Sequence, residues 1–163
     1  FKQKTAYEIP KRDWSSDVCS SDLHDRLELV RKYRHVSYYN DTTATAPAAT
    51  MASLKSFPDQ KIILIAGGVD KNLPYKDLAR EIKKRVRTLV LLPGTATVKL
   101  QREFKGYKPV LLASTMQRAV KLASTLASPQ SIVLLSPGAA SFGLFKHEFD
   151  RGEQFVKAVK SLV

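Results

Sequence analysis

From Arg26 onward the chain alternates between two hydrophobic patterns. One is a set of short apolar runs: RLELV, HVSYYN, KIILIA (61–66), TLVLL (88–92), PVLLA (109–113) and SIVLL (131–135). The last four are apolar at nearly every position and rich in Val, Ile and Leu, as strands buried on both faces are. RLELV and HVSYYN alternate more, and the short Arg31–His35 connection lets them pair with each other. The other pattern has the helical period. Thr45 stands where an N-cap belongs, Pro47 falls in the first turn, and AATMASLKSF continues to Pro58. Leu78, Ile82 and Val86 repeat every four residues over about 75–86. A third helix follows with Thr95 or Thr97 as its cap. A fourth is capped by Ser114, with Ala119, Leu122, Ala123 and Leu126 facing inward, and GEQFVKAVKSLV forms the last.

Strands alternating with helices of this length predict an α/β fold: one mostly parallel sheet with helices on both faces, in a single domain. Right-handed crossovers then bring the loop after each strand to the same edge of the sheet. Four loops gather there: Asp41–Thr45, Gly67–Lys71, Pro93–Thr97 and Pro137–Phe142.

The chemistry available in these loops suits an anion. NDTTATAP places Asp41 and several hydroxyls at a helix N-terminus, where N–H groups and the helix dipole favour a carboxylate; plain capping by Thr45 explains the same residues. AGGVDKN has two glycines at a strand end and then Lys71, a mobile cation; a tight exit from the strand accounts for the glycines equally well. SPGAAS has small residues, exposed N–H groups and the Ser141 hydroxyl. Together they suit a small dicarboxylate or phosphorylated ligand. Neither a G-x-G-x-x-G fingerprint nor a G-x-x-x-x-G-K-[ST] phosphate loop occurs, and no G-x-S-x-G surrounds Ser141. His24, His35 and His147 lack metal-ligand spacing, and one cysteine excludes an internal disulfide.

Composition sharpens this only in part. The formal charge of +12 favours anionic partners, but the lysines are spread over helix faces, as in KDLAREIKKRVR. No aromatic residues interleave with them, so no nucleic-acid surface is expected. No apolar run is long enough to span a membrane, and FKQKTAYEIPKR has no apolar signal region, so a cytoplasmic protein is expected. Residues 1–23 are a foreign-looking or disordered segment. DWSSDVCSSDL has no structural period, resembles translated sequencing-adapter read-through, and leaves Trp14 and Cys19 without functional weight. The domain is expected to span 24–163 and to be a piece of something longer.

HDRLELV, YYNDTTATAPAAT, IILIAGGVDK and IVLLSPGAASFGLFKHEFDRGEQF resemble, in order and spacing, the C-terminal domain of the Mur ligases. The NDTTAT block points to the branch that adds D-glutamate, since other branches typically carry an aspartate-tyrosine pair there. The resemblance implies a Rossmann-like lid that brings the amino acid to an ATP-dependent ligase of peptidoglycan synthesis. D-Glutamate would be joined to UDP-N-acetylmuramoyl-L-alanine through an acyl phosphate. ATP and Mg2+ would be bound mainly by a central domain, and the UDP-sugar by an N-terminal one. Both domains are absent from this chain, which is therefore expected to be inactive alone. By the same resemblance Arg26 and Asp41 contact ATP. Thr45 and Lys71 hold one carboxylate of D-glutamate, and Ser141 with the backbone at Phe142 holds the other. The sequence departs from the family at Thr43, where lysine is common, and near Glu148, where an aromatic residue is usual and Phe149 falls one place late. A ligase lid for another amino acid, and a non-catalytic Rossmann-like module binding nucleotides or nucleic acid, are the alternatives.

Overall fold

The computed structural model describes residues 24–107 and 109–163. Segment 1–23, with Trp14 and Cys19, lies outside the described residues. Six strands form one sheet in the order β1-β2-β6-β3-β4-β5. The strands are β1 (Glu28–Tyr33), β2 (Val36–Asn40), β3 (Lys61–Ala66), β4 (Val86–Leu91), β5 (Val110–Leu112) and β6 (Ser131–Leu135). β1 runs antiparallel to β2, and all other pairings are parallel. The helices are α1 (Pro47–Lys55), α2 (Lys76–Arg85), α3 (Thr95–Glu103), α4 (Met116–Leu126) and α5 (Glu148–Lys160). Chains with this layout are the α/β type expected from the pattern. None of the described helices is long and apolar enough to cross a membrane.

The uniformly apolar central strands conceal a period of two. Ile63, Ile65, Val133 and Leu135 face the layer of α4 and α5, packing on Met116, Ala119, Phe155 and Val159. Ile62, Leu64, Ile132 and Leu134 face the other layer, against Leu54, Leu78, Ile82 and Leu100 of α1, α2 and α3. Each strand therefore divides its side chains between two cores, which is why no polar position interrupts it.

Local signals placed several boundaries elsewhere than the structure does. The β1–β2 connection is only Arg34-His35, both at positive φ (49° and 60°), because pairing of Tyr33 with Val36 extends β1. A two-residue turn of that hand matches the twist of the paired strands. Val86 belongs to β4, since its pairing with Ile62 outcompetes a last helical turn. Thr115, not Ser114, caps α4 by accepting a hydrogen bond from Arg118 N–H at 3.2 Å. Ala119 and Ala123 face inward as expected, joined by Met116 and Val120, while Leu122 is half-buried and Leu126 at the helix end is exposed. Gly94 rather than Thr95 or Thr97 precedes α3, and Ala46 rather than Thr45 precedes α1. Thr45 and Thr95 have other partners, described below, and Thr97 Oγ1 donates to Leu92 O. The last helix begins at Glu148, four residues early, because His147 Nδ1 accepts from Asp150 N–H at 3.1 Å and fixes the first turn.

Gly152 shows how closely α5 approaches the sheet edge. A Cβ there would lie 2.5 Å from Asp25 Oδ1 and 2.8 Å from Thr42 Cγ2. Gly152→Ala should therefore lose about 2 kcal/mol of stability despite alanine's better helix propensity, by overpacking a site that cannot relax outward. Urea unfolding of the two proteins measures the difference.

Candidate functional site

Backbone hydrogen bonds stitch together the four loops at the C-terminal ends of the parallel strands. Gly67 N–H donates to Pro137 O at 2.9 Å, and Val69 and Ala140 exchange two bonds of 2.9 Å as an isolated antiparallel bridge. Gly138 N–H reaches Ala44 O at 2.8 Å, and Ala96 N–H reaches Gly68 O at 2.9 Å. Such contacts need bare backbone. At Gly68 (φ 137°) a Cβ would sit 2.3 Å from Ala140 O, and at Gly94 (φ 146°) 2.1 Å from Gly68 O. The small residues of AGG and SPGAA therefore serve first to let loop approach loop, and Ala139 and Ala140 are buried in that contact. Ligand groups must come from the outer side.

On that outer side Lys71 Nζ donates to Thr45 Oγ1 at 2.9 Å. Because the Val69–Ala140 bridge is antiparallel, the chain after Val69 runs back toward Gly138 and the Ala44 carbonyl it holds. Lys71 thus meets Thr45 across the gap between the loops that follow β2 and β3. Thr45 does not cap α1; its hydroxyl accepts from an ammonium instead. Lys71 is exposed and keeps two further N–H donors. Ser141 lies next to the bridge. Its hydroxyl and N–H, and the N–H of Phe142, have no partner among the described residues. The Phe142 side chain projects outward, 62% exposed, with Leu144 and Phe149 also exposed nearby in sequence.

Arg26 and Asp41 lie on a third side, together lining a cavity of about 240 Å³ with Thr43, Ala44 and Ser53. Arg26 is exposed, but Asp41 is buried and already engaged. Its Oδ2 accepts from Ser53 Oγ at 2.6 Å and Ser136 Oγ at 2.7 Å, and its Oδ1 accepts a longer bond of 3.3 Å from Leu27 N–H. Burial pushes its carboxyl above the usual aspartate range, with those hydrogen bonds and the Arg26 charge pulling it partway back. The Thr43 hydroxyl donates to Asp25 O at 3.0 Å and ties the segment before β1 to this loop.

The residue that sequence reasoning missed is Arg151. It is fully buried, yet no carboxylate pairs with it among the described residues. Nε donates to Thr42 Oγ1 (3.0 Å), Nη2 to Thr42 O (2.7 Å) and Nη1 to Ala139 O (3.0 Å). One guanidinium thereby clasps the NDTTAT loop to the SPGAAS loop. Thr42 Oγ1 in turn donates to Glu148 O at 2.6 Å. Burial lowers the Arg151 pKa to about 10, so it remains charged at neutral pH. A signal was present: Arg151, Phe155, Ala158 and Val159 share the buried stripe of α5, and an arginine on an apolar stripe needs acceptors waiting for it.

A family described as Mur ligase, glutamate ligase domain, matches residues 25–138. UDP-N-acetylmuramoylalanine–D-glutamate ligase of Roseiflexus sp. (strain RS-1) is 54% identical over 143 residues, covering 85% of this chain and 30% of the relative. The chain therefore spans about a third of the length of the curated relatives it matches. Among solved structures, a domain of a ligase from Haemophilus ducreyi 35000HP aligns with a TM-score of 0.56. Its sequence identity is 15%, and the match covers 82% of this chain and 99% of that one. It is described as from a putative UDP-N-acetylmuramate:L-alanyl-gamma-D-glutamyl-medo-diaminopimelate ligase. Mycobacterium tuberculosis folylpolyglutamate synthase complexed with ADP aligns with a TM-score of 0.58 at 14% identity, over 85% of this chain and 32% of that one. These two likenesses establish the fold.

Arg151→Met, which keeps length but removes the donors, should cost about 3 kcal/mol of unfolding free energy by stranding buried acceptors, measurable in urea. Asp41 generates a pH effect of opposite character to an ordinary salt-bridged aspartate. Its folded-state midpoint lies above the unfolded one, so its contribution is complete below the unfolded midpoint and is lost as pH rises through the folded one. The stability of the wild type relative to Asp41→Asn should therefore increase on acidification across that window, as read from unfolding curves at a series of pH values.

Proposed function

We propose, on the premise that the chain belongs to the Mur ligase family through its glutamate ligase domain, that it is the amino-acid-bearing lid of a ligase adding D-glutamate to UDP-N-acetylmuramoyl-L-alanine. The observation that carries this reading is the Lys71 Nζ–Thr45 Oγ1 bond at 2.9 Å. It joins a mobile cation and a hydroxyl across the gap between the loops that follow β2 and β3. A carboxylate arriving there takes a charge-assisted bond from Lys71 and one from the threonine hydroxyl. The second carboxylate falls to the unpartnered Ser141 hydroxyl and the N–H groups of Ser141 and Phe142. Two donor sets separated by the Val69–Ala140 bridge suit a short dicarboxylate better than a single anion.

In the assembled enzyme, ATP with Mg2+ supplies the phosphoryl group that activates the carboxylate of the UDP-sugar substrate. This chain's part is positioning: it holds both glutamate carboxylates so that the free amine faces the acyl phosphate. Arg26 at the cavity rim is assigned to the ATP phosphates. Asp41 Oδ1, which carries one long hydrogen bond, is assigned to a hydroxyl donor of the nucleotide. The cavity of about 240 Å³ is small against a whole nucleotide, so these residues address one edge of it and the central domain holds the rest. Exposed Phe142, Leu144 and Phe149 form the apolar face that closes against that domain and excludes water from the reaction. The domain is taken to begin near His24, and the isolated chain to lack turnover. A cytoplasmic setting, where both nucleotide substrates would be made, completes the proposal.

Lys71→Ala in the complete ligase should raise the KM for D-glutamate by about 50-fold, the loss of one charge-assisted carboxylate contact, while the KM for ATP changes little. Steady-state kinetics with each substrate varied in turn gives both values; an unchanged KM for D-glutamate removes Lys71 from the site. Replacing D-glutamate with L-glutamate in the same assay separates this branch from a lid for another amino acid.

A further inference from the structure

The loop that carries Lys71 is gripped from its other side by Asp70. While Lys71 turns toward Thr45 at α1, Asp70 turns toward α3. Its N–H donates to Thr95 Oγ1 at 2.9 Å, its Oδ1 accepts from Leu73 N–H at 3.1 Å, and its Oδ2 is paired with Lys99 Nζ. Thr95 and Lys99 are four residues apart on α3 and so share one face of that helix. The Asp70 side chain is only 11% exposed, against 40% for Lys99. Lys99 is the foremost reason that the Asp70 carboxyl lies below the usual aspartate range. Asp70 also lies near the buried phenol of Tyr75, whose pKa burial and the Asp70 charge push up to about 12.

Charge arithmetic gives this arrangement a purpose. An unpaired Asp70 beside Lys71 would make the loop neutral, and an incoming carboxylate would meet an anion as well as a cation. With Lys99 paired to Asp70, the loop keeps one uncompensated positive charge, and that charge is Lys71. We propose that Lys99 is a positioning residue, which cancels Asp70 so that Lys71 stands free to receive a carboxylate. This rests on the reading of Thr45 and Lys71 as a carboxylate site. Lys99 itself touches no substrate; it acts through Asp70 and Lys71. If Asp70 and Lys99 only anchored the loop, removing both would be at least as harmful as removing one. If Lys99 acts by cancelling charge, removing Asp70 as well restores binding.

NMR on the 163-residue chain tests this in two independent ways. In a D-glutamate titration, Lys99→Met should weaken binding about fivefold, and the Asp70→Asn/Lys99→Met double variant should return to within about twofold of wild type. A double variant as weak as the single one overturns the proposal. The second measurement needs no ligand: the Asp70 carboxyl of Lys99→Met is titrated. The Leu73 N–H bond also lowers this midpoint, so the readout is the further change on adding Lys71→Met: the midpoint should rise again, because the Lys71 ammonium partly replaces Lys99. No further rise shows that Asp70 and Lys71 do not sense each other, and overturns the proposal whatever the binding data. Absence of D-glutamate binding in the wild type removes the carboxylate-site reading and this proposal's ligand with it, while the carboxyl titration still reports whether the two charges are coupled.

Discussion

A buried guanidinium holds this domain's working edge together. Arg151 gives its donors to two backbone carbonyls and one hydroxyl instead of to a carboxylate. A carboxylate partner would have brought a second desolvated ion into the core, at a cost that its attraction often fails to offset. Carbonyl dipoles already fixed by the loops cost nothing further to orient. The result joins α5 and the loop that leads into it from β6 to the loop after β2, 109 residues away in sequence. Remove that centre and Thr42, Ala139 and the first turn of α5 lose a common partner.

Above the clasp, the site divides into a dry base and an outward rim. Bridges between Val69 and Ala140, Gly138 and Ala44, and Ala96 and Gly68 occupy the N–H groups of Val69, Ala140, Gly138 and Ala96 at the base. The side chains of Lys71, Thr45 and Ser141 and the N–H groups of Ser141 and Phe142 stand outside these bridges. Little of the binding free energy then goes into ordering the protein, because the loops are already tied in register before a ligand arrives. Arg26 belongs to the same frame. It stands between Asp25 and Leu27, both at positive φ, and Asp25 is bonded to Thr43 and Asn40. The segment before β1 is thereby fastened to the loop that holds Thr45.

Much of this was legible in the sequence, for physical reasons that differ by element. β3 and β6 were plain because a strand shared between two cores must be apolar throughout. The four loops were plain because parallel crossovers leave no other place for them. Caps were harder: Ser114 and Thr115 are chemically alike, and only the geometry of Arg118 N–H distinguishes them. Thr45 looked like a cap because its hydroxyl stands beside Pro47, and nothing local reveals a lysine 26 residues away competing for it. The glycines read equally as room for a ligand or as tight strand exits, and the room is filled by another loop. Arg151 was hidden by its company in a run of charges, although its place on the stripe of Phe155 and Val159 gave it away. Lys99 carried no sequence signal at all, since its partner Asp70 is 29 positions distant.

The interlocked glycines have a consequence for how such a domain can evolve. Gly94 is constrained by the backbone of Gly68, and Gly68 by that of Ala140, whatever side chains surround them. Mutation there tests foldability before it can test preference. Lineages that diverge at this edge must do so through the side chains that point away from the weave, at positions such as 43, 45, 71 and 142. Variation in the family should thus be confined to a thin outer layer of letters, above a base that records only the geometry of the chain crossing itself.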